Sequence, residues 1–380
     1  MSNRAKKIKV AFSVTNCLCH DQRIIKMATL VSGLGCDIIL IGRKSGDCCK
    51  HDSIAFRTRR FRMIFMRGFL FYMFFNIRLF FYLLLHKCDI LVSNDLDTLL
   101  PNFLVSRFKK IPVVYDSHEY FTGVPEIQSR RFVKWVWKSI ERSIFPRLKY
   151  VMTVSDSIAM QYMSEYGLKP LTVRNCSPGS KNIIPLTRAE IRLNPRHLLL
   201  IFQGAGINRD RGGEELIDAI AITDNVSLLV IGSGDKYEVL IENASKQGLT
   251  DRIRFLPKLP WNDLMRYTKA VDAGLSLDKN SNLNYKYSLP NKLFDYISAG
   301  IPVLATELPE ITKIVTEYKF GILISEPSAG EISKALKVLR DDRQLLSELK
   351  RNSALASESI NWENESLKVA ELYRSILNQI

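Results

Sequence analysis

Residues 198–234 read LLLIFQGAGINRDRGGEELIDAIAITDNVSLLVIGSG. Two apolar runs, LLLIFQG and VSLLVIGSG, each close on glycine, and the helix-like GGEELIDAIA lies between them. Strands that alternate hydrophobic and polar residues belong to sheets with one wet face. Continuous apolar runs belong to strands buried on both faces, as in a parallel sheet covered by helices. The stretch therefore predicts a β-α-β unit with a glycine-bearing loop at the carboxyl end of its first strand.

The same pattern extends in both directions. Toward the C-terminus, strand-like runs recur at 253–257, 273–278, 302–306 and 321–325, and the tail beyond about 328 is helical and charged. Toward the N-terminus they recur at 7–14, 37–43, 90–94, 112–118, 150–155 and 171–175. Between the two sets, CSPGSKNIIP gathers Pro, Gly and Ser and predicts a linker. The expected organisation is α/β, with two doubly wound Rossmann-like domains at 1–176 and 187–360 joined by a linker at 177–186. A C-terminal helix at 361–380 is expected to pack back on the first domain. Such domains hold ligands at the carboxyl ends of their strands, in the cleft that they face.

Charge separates the halves. Residues 1–180 hold 28 Lys and Arg against 13 Asp and Glu, whereas the remaining residues hold 26 of each, so the whole net charge of +15 lies in the first half. That half should meet something anionic. The segment 57–87 runs from Arg57, Arg59, Arg60, Arg62 and Arg67 into a Phe/Leu/Tyr-rich stretch in which Arg78 is the one charge between Phe69 and Leu85. It is slightly short for a membrane span. It reads either as a buried crossover helix or as a helix resting in an anionic membrane surface. The segment 128–145, QSRRFVKWVWKSIERSIF, is a basic amphipathic helix carrying Trp135 and Trp137, and permits the same two readings. Zinc-finger spacing and RNP-like aromatic motifs are missing, so a nucleic-acid partner is not expected. Seven cysteines, an odd number with none beyond Cys176, argue for a reducing cytoplasmic compartment. The N-terminus runs from basic residues straight into a strand, so a secretory leader is not expected.

Several chemistries drop out. The loop after the first strand, TNCLCHDQR, has no glycine, so the dinucleotide fingerprint is missing, as are GxxxxGK[ST], HExxH and GxSxG. Cys17-Leu18-Cys19-His20 lacks two further ligands at suitable spacing, and no metal site is expected. What remains points to phosphate. Gly204 opens a loop bearing Arg209 and Arg211 ahead of a helix whose N-terminus favours anions, and Gly232 and Gly234 follow the next strand in the same way. In YSLPNKLFDYISAGIPVLAT, 287–306, Pro290 precedes a helix that carries Asn291, Lys292 and Asp295 and ends at Gly300. A lysine there can neutralise phosphate, and a carboxylate can either cap the helix or grip a ribose diol. His118 beside Glu119 at a strand end is a further candidate.

The 287–306 segment resembles the C-terminal motif of retaining GT-B glycosyltransferases of the family 4 type, in the variant SxPNKxFEYxxxGxPV. Arg211-Gly212 is similar to that family's (K/R)G phosphate-binding element, VVYDSHEYF (113–121) to its D-x-H-E segment, and HDQR (20–23) to its D-x-R loop. VSNDLDTLLP also looks like the family, so the resemblance covers nearly the whole chain. It implies a nucleotide-sugar donor (UDP- or GDP-sugar) on the C-terminal domain, an acceptor on the N-terminal one, transfer with retention, and no required cofactor or metal. By the same resemblance Arg211 and Lys292 would stabilise the leaving diphosphate and Asp295 would bind the ribose. His118 would orient or share a proton near the donor sugar or acceptor hydroxyl. Asp21, Arg23, Asp116 and Glu119 would serve the acceptor side.

Two departures stand out. Many relatives carry glutamates eight residues apart where this chain has Tyr287 and Asp295, and some place an extra arginine at Ala205-Gly206, for which Arg209 could compensate. The expected function is transfer of a sugar to a glycan or lipid-linked acceptor in cell-surface polysaccharide or glycolipid assembly, at the inner face of a membrane. A non-catalytic sugar-nucleotide-binding scaffold and a sugar-nucleotide epimerase are the alternatives.

Overall fold

The computed structural model describes residues 7–18, 21–44, 54–124, 127 and 130–380. Cys19 and His20 of the CLCH and HDQR fragments, Cys48, Cys49 and the first two residues of the 128–145 segment lie outside the described residues. No disulfide joins the described cysteines.

In the first unit the chain runs β1 (Lys9–Ser13), α1 (Gln22–Gly33), β2 (Asp37–Lys44), β3 (Arg57–Arg62), α2 (Gly68–Leu85), β4 (Ile90–Asn94), α3 (Leu99–Lys109), β5 (Val113–Ser117), α4 (Arg131–Ile144), β6 (Tyr150–Thr153), α5 (Asp156–Tyr166) and β7 (Leu171–Thr172). The seven strands form one parallel sheet in the order β3-β2-β1-β4-β5-β6-β7. The chain winds outward from β1 to β3, then returns to place β4 on the other side of β1. The resulting switch point is where the carboxyl ends of β1 and β4 diverge and leave room for a ligand.

In the second unit β8 (Leu198–Gly204), α6 (Gly213–Ala221), β9 (Val226–Gly232), β10 (Ile253–Pro257), β11 (Ala273–Ser276), α7 (Asn291–Ala299), β12 (Val303–Thr306) and β13 (Gly321–Ile324) build a parallel sheet in the order β10-β9-β8-β11-β12-β13. Its switch point lies between β8 and β11. Side chains of a strand point alternately to opposite faces. Leu198, Leu200 and Phe202 of β8 accordingly enter one core, and Leu199 and Ile201 enter the other.

The units are Met1–Arg174 with Ser366–Ile380, and Asn175–Glu365. The stretch expected as a linker belongs to the second unit. Ser180 donates to the Ser298 carbonyl at 2.5 Å, and Ser298 donates to that of Pro178 at 2.8 Å. The chain's last residues belong with the first unit, where Tyr373 is fully buried and Gln379 Oε1 accepts hydrogen bonds from Lys149 and Tyr150.

Two expectations for 57–87 need correction. Its arginines do not head a helix: RTRRFR is the edge strand β3, pairing from Ile39↔Arg57 to Lys44↔Arg62. Phe61 turns inward and the charges keep the open edge from pairing further. Nor is α2 a fully buried crossover. Phe71, Phe75, Leu79 and Leu83, spaced by four, are its buried residues, and the rest of its apolar surface is partly or well exposed. Among the described residues α2 is the one helix long and apolar enough, by length and composition, to cross a membrane.

Candidate active site

The second switch point assembles a charge cluster. The paired ends of β8 and β9 bring Gly204 against Gly232, where a Cβ on Gly232 would lie 1.9 Å from the Gly204 carbonyl oxygen. The two glycine loops are then stitched by backbone: Ile207 N donates to Ser233 O at 2.8 Å and Lys236 N to Ile207 O at 3.0 Å. Gly212 adopts a φ of 74°, and a Cβ there would meet the Leu277 carbonyl oxygen at 2.4 Å. Glycine thus lets the loop after β8 lie against the chain leaving β11.

That approach sets Arg211 beside Asp278. Arg211 Nη1 lies 3.0 Å from Asp278 Oδ2, and its guanidinium sits 4.1 Å from the centre of the Tyr285 ring. Lys292, in the first turn of α7, brings Nζ to 3.5 Å from Asp278 Oδ1 and to 4.9 Å from the Phe202 ring centre. Asp278 is fully buried, so two cations share one carboxylate and the cluster keeps a net positive charge. Burial lowers the pKa of Lys292 although Asp278 opposes it. For Arg211 burial also works against the charge, but Asp278 and Tyr285 outweigh it and the pKa rises. Arg211 Nε is buried and donates to no acceptor among the described residues. A buried donor left over beside a second cation suits an anion with several oxygens.

The other predicted residues separate. Asp295 is held in a buried network: Oδ1 accepts from Ser177 Oγ at 2.6 Å and Trp261 Nε1 at 2.9 Å, and Oδ2 accepts from Gln203 Nε2 at 2.9 Å. A ribose would have to share a carboxylate that already holds three donors. Asn291 accepts from Asn175 at 2.9 Å. Arg209 does not join the cluster: its side chain is 87% exposed and its ion-pair partner is the adjacent Asp210 at 3.9 Å. Asp278 and Tyr285 are not among the residues predicted from sequence. Their available signal was position, since Asp278 ends the predicted strand AGLSLD at the switch point.

The first unit assembles a different cluster at the ends of β1, β4 and β5. Arg23 is buried and forms a two-pronged pair with Asp116, Nε to Oδ2 at 2.9 Å and Nη2 to Oδ1 at 2.7 Å, while Nη1 donates to the Val173 carbonyl at 3.0 Å. This pair ties α1 to β5 and to the segment after β7. Asp21 caps α1 by accepting from Ile24 N at 3.1 Å and from Asn16 Nδ2 at 2.8 Å. In this structure Asp21, Arg23 and Asp116 are thus engaged within the unit, supporting the ends of the elements that carry the cluster. Glu119 is half-buried, and its carbonyl accepts from Ser117 Oγ at 2.8 Å.

His118 lies between two carboxylates, Nδ1 3.3 Å from Asp95 Oδ2 and Nε2 3.3 Å from Asp116 Oδ2. Its backbone N–H also donates to Asp95 Oδ1 at 2.8 Å. Burial works against the imidazolium, but Asp95 and then Asp116 outweigh it and push the pKa up to about 9. At neutral pH the ring is therefore a cation with both nitrogens protonated. It can donate a hydrogen bond but cannot accept a proton. Asp95, absent from the sequence predictions, carries a φ of 63°, a left-handed backbone uncommon outside glycine. Asp97 accepts from Thr15 Oγ1 at 2.5 Å, and burial followed by the nearby Asp95 raises its pKa to about 7. Among the described residues no group of three or more His, Cys, Asp or Glu is placed to hold a metal ion.

Comparison with known proteins agrees with this architecture. Residues 185–355 match the family described as Glycosyl transferases group 1, and residues 23–176 match Glycosyltransferase Family 4. D-inositol 3-phosphate glycosyltransferase of Arthrobacter sp. (strain FB24) is 22% identical over 203 residues, 51% of this chain and 47% of that protein. Lipopolysaccharide core biosynthesis glycosyltransferase LpsD of Rhizobium meliloti (strain 1021) is 23% identical over 196 residues, 51% of this chain and 53% of that protein. The match spans about half the length of each of these relatives. Among solved structures, Anabaena Alr3699/HepE in complex with UDP and glucose superposes with a TM-score of 0.76 at 16% identity, covering 97% of this chain and 100% of that one. Two Rossmann-like units, the switch-point clusters and the two family matches lead to one conclusion: the chain belongs to the family 4, group 1 type of glycosyltransferases with the GT-B fold.

Proposed function

We propose that this glycosyltransferase takes its sugar from a nucleoside diphosphate, UDP before GDP, and transfers it with retention of configuration to a lipid-linked glycan acceptor. The observation that carries the donor reading is the Arg211–Asp278–Lys292 cluster at the β8–β11 switch point. Two half-buried cations, with the buried Arg211 Nε–H left over, stabilise charge that develops on a departing diphosphate. UDP is favoured because it is the nucleotide in the Anabaena structure. His118, as an imidazolium between Asp95 and Asp116, serves as a hydrogen-bond donor and a fixed positive charge rather than as a base. Asp95, partly exposed at the end of β4, is the carboxylate offered to an acceptor hydroxyl, and Asp295 holds the end of β8 through Gln203. The lipid-linked acceptor is supported by the basic, aromatic first unit and by the lipopolysaccharide role of the Rhizobium relative. The reading places the protein on the cytoplasmic face of a membrane, in cell-surface polysaccharide or glycolipid assembly.

The test is a thermal-shift panel of UDP, GDP, ADP, CMP and dTDP on the wild type and Arg211→Ala. A nucleotide at about 100 times its dissociation constant stabilises the fold by about 2.7 kcal/mol. A shift by UDP in the wild type that vanishes in the variant supports the donor site. The absence of a shift with every nucleotide refutes it. Tight UDP binding without turnover of any UDP-sugar would favour the scaffold alternative.

A further inference from the structure

Helix α2 has two apolar faces, and the first unit covers one of them. Phe71, Phe75, Leu79 and Leu83 are buried, whereas Phe69, Met73, Ile77 and Phe81 form a second stripe with the same spacing of four and are exposed by 59%, 41%, 47% and 55%. Positions two apart lie on nearly opposite sides of an α-helix, so the second stripe faces away from the buried one. It is not a flat surface. With Leu104 of α3 and Trp137 of α4 it lines a groove of about 440 Å³.

The chemistry of the groove narrows what can occupy it. Its lining is aromatic and aliphatic, with Asn76 and Arg130 the polar exceptions. Asn76 donates to the Tyr72 carbonyl at 2.7 Å and to that of Asp97 at 2.9 Å. A peptide would bring N–H and C=O groups that need partners, and the groove offers almost none. A hydrocarbon chain needs no partners. Charge argues in the same direction. Residues 54–85 contain six arginines and no acidic residue. Across α2, α3 and α4 the one acidic residue is Glu141, which is buried and accepts from Lys138 at 3.1 Å. Arg67, Arg130 and Arg131 are exposed, and Arg130 lines the groove itself. A second copy of the chain docked face to face would press two sets of arginines together. An anionic bilayer presents hydrocarbon and negative headgroups together.

We infer that the α2–α3–α4 groove is a membrane-docking site that takes an acyl chain of an anionic phospholipid while the surrounding arginines meet the headgroups. The inference rests on the proposed work at a membrane and adds a defined seat to it. It also has a structural consequence. Asn76 joins α2 to the Asp97 carbonyl, so the element that meets the bilayer is bonded to the turn bearing Asp95 and Asp97.

The experiment is flotation with phosphatidylglycerol–phosphatidylcholine vesicles, paired with tryptophan quenching by phospholipids brominated on the acyl chain. The variants are Ile77→Asp inside the groove, Leu85→Asp on the same helix outside it, and Trp137→Phe to assign the quenched signal. Ile77 and Leu85 are already exposed, by 47% and 78%, so unchanged melting temperatures are expected. The wild type and Leu85→Asp should float, Ile77→Asp should lose at least ~10-fold in partitioning, and most quenching should disappear with Trp137. Wild-type flotation without Trp137 quenching, or Ile77→Asp floating like the wild type, overturns the groove and leaves charge-driven membrane binding standing. No flotation of the wild type overturns both the groove and the membrane reading. A solution dimer that Ile77→Asp dissociates assigns the groove to a second copy instead.

Discussion

His118 should titrate near pH 9 rather than near the ordinary histidine value, because Asp95 and Asp116 each stand 3.3 Å from one of its ring nitrogens. The rise from 6.5 to about 9 corresponds to about 3 kcal/mol of preference for the imidazolium in the folded state. The folded value lies above the unfolded one. The stabilisation is therefore complete below about pH 6.5 and is lost as the pH rises through 9. The assay is an NMR titration of the histidine Cε1–H resonances from pH 5 to 10.5, with the His118 signal assigned by its absence from His118→Gln. The protein has five histidines, so the assignment is tractable. One resonance should have a midpoint near 9, and thermal melts should show the wild-type advantage over His118→Gln shrinking between pH 7 and 10. Turnover, once a donor is found, should fall above about pH 9. A His118 midpoint at or below 6.5 refutes the imidazolium assignment.

Other consequences can be tested in the same melts. Asp97, with its pKa raised to about 7 by burial and by Asp95, is a charge that the fold accommodates poorly at high pH. Asp97→Asn should therefore melt above the wild type at pH 8 and together with it at pH 4; a lower melting point at pH 8 would show that the carboxylate is paid for elsewhere. Asp295→Ala leaves Ser177, Gln203 and Trp261 without their acceptor and should cost about 2–4 kcal/mol, read as a lower denaturation midpoint. Unchanged stability in that variant would mean that the network is not a structural tie.

The fold was legible because its strands are buried on both faces. Runs such as LLLIFQG and VSLLVIGSG admit few other arrangements, and the carboxyl ends of such strands are where chemistry collects. What remained hidden depended on contacts across the chain. Arg209 and Arg211 look equivalent in sequence, but the approach of Gly212 to Leu277 directs Arg211 to Asp278 and leaves Arg209 in solvent. Asp278 had no motif to mark it, and Asp95 lay within VSNDLDTLLP without standing out there, since the importance of both comes from cations contributed by other parts of the chain. RTRRFR was misread because four arginines in six residues mask the single inward phenylalanine that makes it a strand. The apolar run of α2 disclosed its length but not its two opposite faces, because composition does not say which side of a helix a neighbour will cover.

If Arg211 and Lys292 hold the diphosphate as proposed, Asp278 also bears on the end of each cycle. A bare pair of half-buried cations would cling to a spent nucleotide, and release would then throttle turnover. With Asp278 fixed between them, Arg211 and Lys292 have a resident counterion to fall back on when a diphosphate departs. Replacing that carboxylate by an amide would tighten the hold on product and slow its exit, so the residue that weakens the grip is the one that keeps the enzyme cycling.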